Sequence, residues 1–194
     1  MKKYIRPFMA AATVLAIAVT VLVALHLAMP GWYARWWYPL DYAESISRCS
    51  NENSLDPALV AAVIYTESQF DRLSTSPAGA VGLMQIMPGT GRWIAEEHGT
   101  VIQGDELRDP EINIAYGCWY LRYLLDRYRN PSLALAAYNG GIENVDSWMA
   151  EAGGGREFDY TKDIPFKETR DYVSRVETAV HIYERAYPAE LGTE

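Results

Sequence analysis

The chain has 194 residues, 49% of them hydrophobic and 12% aromatic, enough apolar side chain for one domain core. Of its 17 Lys and Arg, four (Lys2, Lys3, Arg6 and Arg35) fall in the first forty residues, which leaves 13 basic against 25 acidic residues beyond, a net charge of −12. That balance excludes nucleic acid and anionic lipid as partners of the main body, because both would be repelled.

From Met9 to Met29 every residue is apolar or small except Thr13, Thr20 and His26. A helical run of about 21 residues spans roughly 30 Å, the thickness of a bilayer's hydrocarbon. His26 spoils the small-x-small cleavage pattern, which favours a retained signal anchor over a cleaved signal peptide. Lys2, Lys3 and Arg6 precede the run, so residues 1–8 are expected in the cytoplasm, 9–29 across the membrane as a single N-terminal transmembrane helix, and the remainder outside the cytoplasm. Trp32, Tyr33, Trp36, Trp37 and Tyr38 crowd a juxtamembrane linker at 30–41, as an interfacial aromatic belt would.

Beyond the linker the chain reads as a mainly α domain over 42–187 with a tail at 188–194. A helix is expected over 41–51. Asp56-Pro57 is a cap followed by a first helical residue and opens a helix to about 69. Another runs over 90–98 and stops at Gly99. Asp109-Pro110 repeats the cap signature and opens a helix to about 129, with Ile112, Ala115, Trp119, Tyr123 and Leu124 near helical spacing. Asn130-Pro131 opens the next, which ends at Asn139-Gly140-Gly141. Helices over 142–152 and 167–187 follow, separated by a flexible Gly153-Gly154-Gly155 segment. The only sheet expected is a small β-hairpin at 80–86.

Cys49 and Cys118 have no metal-ligand spacing; an oxidising exterior allows them to pair, and burial as free thiols is the alternative. His26, His98 and His181 are scattered, so neither a zinc site nor a serine triad is expected.

Glu67 stands near the end of the apolar stretch 57–66. In the last turn of its helix it sits at the unfavourable end of the dipole, and Leu59, Val63 and Phe70 place apolar side chains on its stripe. Both effects penalise the charged form and raise the pKa, as a general acid near neutral pH requires. Protonating a leaving oxygen while charge builds at an anomeric carbon suits such a group. Ordinary glycosidases add a second carboxylate; the nearest in sequence, Asp71, follows the helix end and reads as a solvated or capping residue. Ser76, Gln85, Tyr138 and Asn139 gather in or beside the breaks, with Gly79, Gly82, Gly140 and Gly141 able to bring backbone close to a sugar. Of Met84 and Met87, at least one is expected in the core and the other is free to line a groove.

Five blocks then form an ordered set: Glu67-Ser68-x-Phe70; Gly79-x-x-Gly82-Leu-Met-Gln-Ile-Met-Pro88; Asn113 with Gly117 and Tyr120-Leu121; Ala137-Tyr-Asn-Gly-Gly141; and Ile164-Pro-Phe-x-Glu168-Thr-Arg-x-Tyr172-Val173. Together they resemble the catalytic domain of the soluble lytic transglycosylases. The resemblance implies a lysozyme-like, goose-type helical domain acting on the glycan strands of peptidoglycan. Such a domain breaks the β-1,4 bond between N-acetylmuramic acid and N-acetylglucosamine and closes the muramyl 6-hydroxyl on the anomeric carbon to leave a 1,6-anhydro end. One Glu serves as acid and then base, which fits the missing second carboxylate. By position Glu67 is that residue; Ser76, Gln85 and Met87 would contact substrate, Tyr138 and Asn139 would line the site, and Tyr172, with Glu168 behind it, would complete the floor. No metal or cofactor is implied, and the membrane partner is the N-terminal anchor. A goose-type hydrolase and an inactive wall-binding module are the alternatives. Gly140 stands where many members have Ala, and Cys118 and the loop over 156–163 match no pattern of the family.

Overall fold

Three Asx-Pro pairs start the helices that carry the core. The Asp56 carboxylate accepts the Ala58 N–H at 2.8 Å and opens α4 (Pro57–Ser68). Asp109 accepts from Glu111 and Ile112 and opens α6 (Pro110–Tyr128), and Asn130 accepts from Leu133 and opens α7 (Pro131–Gly140). In each case proline fills the first position, where the missing N–H has no intrahelical partner to lose.

The computed structural model describes residues 13–24, 30–151 and 158–192. Two units result, Met1–Pro39 and Leu40–Glu194. In the first, residues 13–24 are helical (α1) with exposed apolar side chains, and α2 covers Gly31–Trp37 within the expected linker. Among the described residues no helix is long and apolar enough to cross a membrane. Twelve helical residues reach only about 18 Å, and 9–12 and 25–29 of the expected span lie outside the described residues. The same holds for residues 1–8 and for Gly153-Gly154-Gly155.

In the second unit α4 is central and packs on α10 (Lys167–Ala186), while α6 packs on α7 and on α3 (Ala43–Asn53). Residues Val60 to Ile64 of α4 are all fully buried, so the helix is apolar all round; the single stripe expected through Leu59, Val63 and Phe70 is replaced by enclosure on every side. On α6 the inward face is Asn113, Ile114, Gly117, Cys118, Leu121 and Leu124. Of the expected stripe only Leu124 belongs to it, because Trp119 and Tyr123 pack instead on Trp93 of α5 (Pro88–Glu97). A small residue and a polar one go inside where hydropathy alone would have put them outside.

The expected hairpin shrinks to isolated antiparallel bridges, Thr75 with Val81 and Val81 with Ile86; no strand occurs among the described residues. Turns take up the segment, since Gly82 and Gln85 both have positive φ. A 3-10 turn over Gly104–Arg108 precedes α6, α8 covers Ile142–Glu151, and the single-turn α9 covers Tyr160–Asp163. Part of the expected tail is a helix, α11 (Pro188–Leu191), which packs on α3 and α10 through buried Leu191. Cys49 and Cys118 form a disulfide that joins α3 to α6 across 69 residues of sequence.

Candidate active site

α4 delivers Glu67 in its last turn, and the chain leaves the helix at once because Gln69 and Phe70 take left-handed backbone at φ 52° and 65°. Each such non-glycine residue costs about 1 kcal/mol. Burial of the Phe70 ring against Tyr183, 6.4 Å away, offsets that cost.

The segment that follows, residues 71–87, has almost no regular structure and is held from outside. The Ser68 hydroxyl on α4 donates to the Leu83 carbonyl at 2.8 Å. Arg108 of the 3-10 turn donates to the Leu73 carbonyl and to the Thr75 hydroxyl. From α6, the buried Asn113 accepts the Met84 N–H at 2.7 Å and donates to the carbonyls of Val81 and Leu107. From α7, the Tyr138 hydroxyl donates to the Met84 carbonyl at 2.8 Å. Two glycines permit this approach: a Cβ on Gly82 would fall 2.4 Å from Asn113, and one on Gly117 would fall 2.2 Å from the Met84 sulfur. Gly82 therefore brings backbone close to protein rather than to a sugar.

Glu67 keeps some solvent exposure, yet enough protein surrounds its carboxyl to raise the pKa to about 7. Burial is the largest cause, opposed by Tyr172 and by the positive charge of Arg175. Tyr172 is 1% exposed, and among the described residues its hydroxyl meets no partner at full hydrogen-bond geometry although it lies near enough to favour the Glu67 carboxylate. Burial, and then the Glu67 charge, hold the phenols of both Tyr138 and Tyr172 well above their usual range, so both remain protonated donors. Among the described residues no carboxylate is one of the groups that shift Glu67. Asp71 is exposed and its carboxylate accepts the Leu73 N–H at 2.9 Å, a local capping role.

Beside this cluster lies a cleft of about 250 Å³, lined by Gln85, Met87, Thr90, Tyr120, Tyr138 and Asn139 among others. Gln85 is held in left-handed backbone at φ 49° by its own side chain, which donates to the Gly82 carbonyl at 2.7 Å. Met84 is fully buried, whereas Met87 is exposed and gives the cleft an apolar wall. Burial and the neighbouring Tyr123 raise the Tyr120 phenol to about 12. Tyr138 links the two features, since it lines the cleft and also interacts with Glu67 and Tyr120.

Of the residues singled out from the sequence, Gln85, Met87, Tyr138 and Asn139 thus meet at one cleft, with Glu67 and Tyr172 grouped around Tyr138. Two stand apart. The Ser76 hydroxyl accepts the Ala80 N–H at 3.0 Å within its own turn, and neither it nor Glu168 lines the cleft. Glu168, called as standing behind Tyr172, is exposed in the first turn of α10, four residues before Tyr172, where the helix dipole favours an acid. Arg175 and Thr90 were not singled out from the sequence, and Asn113 and Tyr120 stood in an ordered block without a role of their own. Arg175 had a usable signal, for it follows Tyr172 by three residues on one helix and so shares its face.

The Transglycosylase SLT domain family matches residues 44–160. This chain belongs to that family. A soluble lytic murein transglycosylase of Escherichia coli K12 is 34% identical over 162 residues, covering 80% of this chain and 25% of the relative. A membrane-bound lytic murein transglycosylase C of Actinobacillus pleuropneumoniae (serotype 5b) is 31% identical over 184 residues, covering 87% of this chain and 46% of that one. Among solved structures, the 70-kDa soluble lytic transglycosylase of Escherichia coli superposes with a TM-score of 0.71 at 32% identity, covering 78% of this chain and 25% of that one. This SLT-family chain therefore spans about a quarter to a half of the length of these relatives, and its fold is the mainly helical, lysozyme-like one of the family.

Proposed function

We propose that this SLT-family chain is a peptidoglycan lytic transglycosylase that cleaves the β-1,4 bond between N-acetylmuramic acid and N-acetylglucosamine and leaves 1,6-anhydro-muramyl ends. The observation that carries the reading is the Glu67 carboxyl, raised by burial to about 7 beside the Tyr138 and Tyr172 phenols and a cleft, with no second carboxylate among the described groups that shift it. The murein transglycosylases it resembles support the substrate class.

In this reading Glu67 gives its proton to the glycosidic oxygen as the bond to the muramyl C1 breaks. The resulting carboxylate takes the proton of the muramyl C6 hydroxyl while that oxygen bonds to C1, and Glu67 is restored. Water is not a reactant, so a second carboxylate to activate it has no task. Gln85, Met87, Tyr138 and Asn139 hold the sugar chain in the cleft, Tyr172 positions Glu67, and Ser76 contacts substrate farther along.

We place the enzyme at the cell membrane, held by a single-pass anchor over residues 9–29 with its catalytic domain outside the cytoplasm. The basic residues Lys2, Lys3 and Arg6 before the apolar run, the exposed Trp32, Trp36 and Trp37 after it, and a membrane-bound relative support this. Mass spectrometry of sacculi digested by the purified protein tests the activity. Anhydro ends are expected; reducing muramyl ends would identify a hydrolase, and binding without release of fragments a wall-binding module.

A further inference from the structure

Away from Glu67, α6 carries an aromatic cluster that the proposed reaction does not use. Trp93 of α5 sits edge-on to Trp119, Tyr120 and Tyr123 with ring centroids 5.2, 6.2 and 5.0 Å away. Trp119 and Tyr123 are nearly parallel, at 9° and 5.8 Å, and Tyr120 and Tyr123 at 10° and 6.4 Å. Tyr120 then touches Tyr138 at 5.4 Å. The rings therefore form an unbroken series from the cleft to a groove of about 600 Å³ whose walls are Trp119 and Tyr123 on one side and Glu52, Asn53 and Ser54 at the end of α3 on the other.

The groove is equipped with polar groups as well. Arg122 lies across it, bonded to Asp126 at 2.6 Å and reaching the Ser54 carbonyl at 3.4 Å, and its Nε is buried without a partner among the described residues. Arg122 and Asp126 also line an adjoining groove of about 460 Å³ that continues along α6 to Asn130. Half-exposed rings bordered by carboxylates, an amide and a guanidinium match what a pyranose offers, apolar C–H faces edged by hydroxyl and acetamido groups. The acidic excess of this unit disfavours an anionic occupant.

We infer that the groove between the end of α3 and α6 is a second saccharide site, which takes the N-acetylated sugars of a glycan strand on Trp119 and Tyr123 while the cleft holds the reacting bond. The inference rests on the proposed glycan substrate and adds a second place on the chain where that substrate is held. The ring series packs the wall of this groove against the wall of the cleft.

The test titrates full-length Glu67→Gln protein with chitohexaose, a peptide-free N-acetylglucosamine oligomer, and follows amide shifts by NMR. Two groups of residues are expected to move, one around Gln85 and Asn139 and one around Asn53 and Tyr123. Trp119→Ala should weaken the second group about tenfold and leave the first. Because Trp119 also packs on Trp93, the exposed-residue pair Glu52→Ala with Asp126→Ala is run alongside and should weaken the second group at least threefold. Binding at the cleft alone overturns the second site and leaves the proposed activity standing, whereas binding at neither place overturns both. Shifts at the groove produced by a free muramyl stem peptide but not by chitohexaose would assign it to peptide and overturn the inference.

Discussion

Asn113 Oδ1 accepts the Met84 N–H at 2.7 Å, and through that bond α6 holds the irregular segment from which Gln85 and Met87 reach the cleft. The same amide donates to Val81 and Leu107, so its capacity is used on both ends with no solvent exposure. Asn113→Ala takes their partner from the buried Met84 N–H and Leu107 carbonyl, while the Val81 carbonyl keeps the Ile86 N–H at 3.0 Å. It should cost about 3 kcal/mol or more in urea unfolding. A loss under about 1 kcal/mol would show that the segment is held elsewhere.

Turnover should depend on the Glu67 proton. With a pKa of about 7, the protonated form is abundant in mildly acidic solution and falls tenfold per unit above that value. kcat/KM on peptidoglycan is expected to decline on the alkaline side with an apparent pKa near 7. Glu67→Gln should lose at least ~10²-fold in rate below the apparent pKa, as removal of a general acid does, with the gap closing as the parent declines above it. A rate that stays flat to pH 9, or a variant that digests sacculi normally, would remove Glu67 from the acid role.

The same shift has a consequence for folding that activity does not touch. The folded-state pKa lies above the ordinary 4.5, so the folded chain holds more protons than the unfolded one between pH 4.5 and about 7. Stability therefore falls as pH rises through that window, by on the order of 3 kcal/mol for this group. Gln carries no charge at any pH. Glu67→Gln should match the parent's stability near pH 4 and exceed it at pH 8, with the gap opening across the window. A constant difference in Tm from pH 4 to pH 8 would contradict the buried carboxyl.

Local signals explain which parts of the fold were readable in the chain. Asp56-Pro57, Asp109-Pro110 and Asn130-Pro131 act over four residues, and each starts a helix where its chemistry requires. The cleft residues Gln85, Tyr138 and Asn139 were readable through the ordered blocks of residues they belong to, together with turn chemistry. Asn113 and Gly117 belong to such a block too, but that they form the inward face of α6 was not readable, because they are buried by partners far away in sequence, Met84 and Val81. Nor was the left-handed pair Gln69 and Phe70, since neither type favours positive φ and the pair is sustained by the packing of Phe70 on Tyr183 and by backbone bonds across the turn. The exposure of Glu168 was not readable for a related reason: four residues before Tyr172 it shares a helix face, but at the first turn that face has already reached solvent.

The disulfide offers a prediction independent of the reaction. Cys49 and Cys118 are both buried, and their bond closes a loop of 69 residues between α3 and α6. In the chain-entropy account, a loop of that length restrains the unfolded ensemble by about 4 kcal/mol. For a unit of this size, each kcal/mol is worth roughly 2 to 4 °C in Tm, so reduction should lower the melting temperature by roughly 10 °C. The double variant Cys49→Ser, Cys118→Ser should melt at the lower temperature with or without reductant, and the parent only with it. The bond also joins the two helices that wall the aromatic groove, so reduction should loosen Asn53 and Trp119 in hydrogen exchange before it affects Tyr138. An unchanged parent Tm in reductant would mean that packing of α3 on α6 alone holds the pair together.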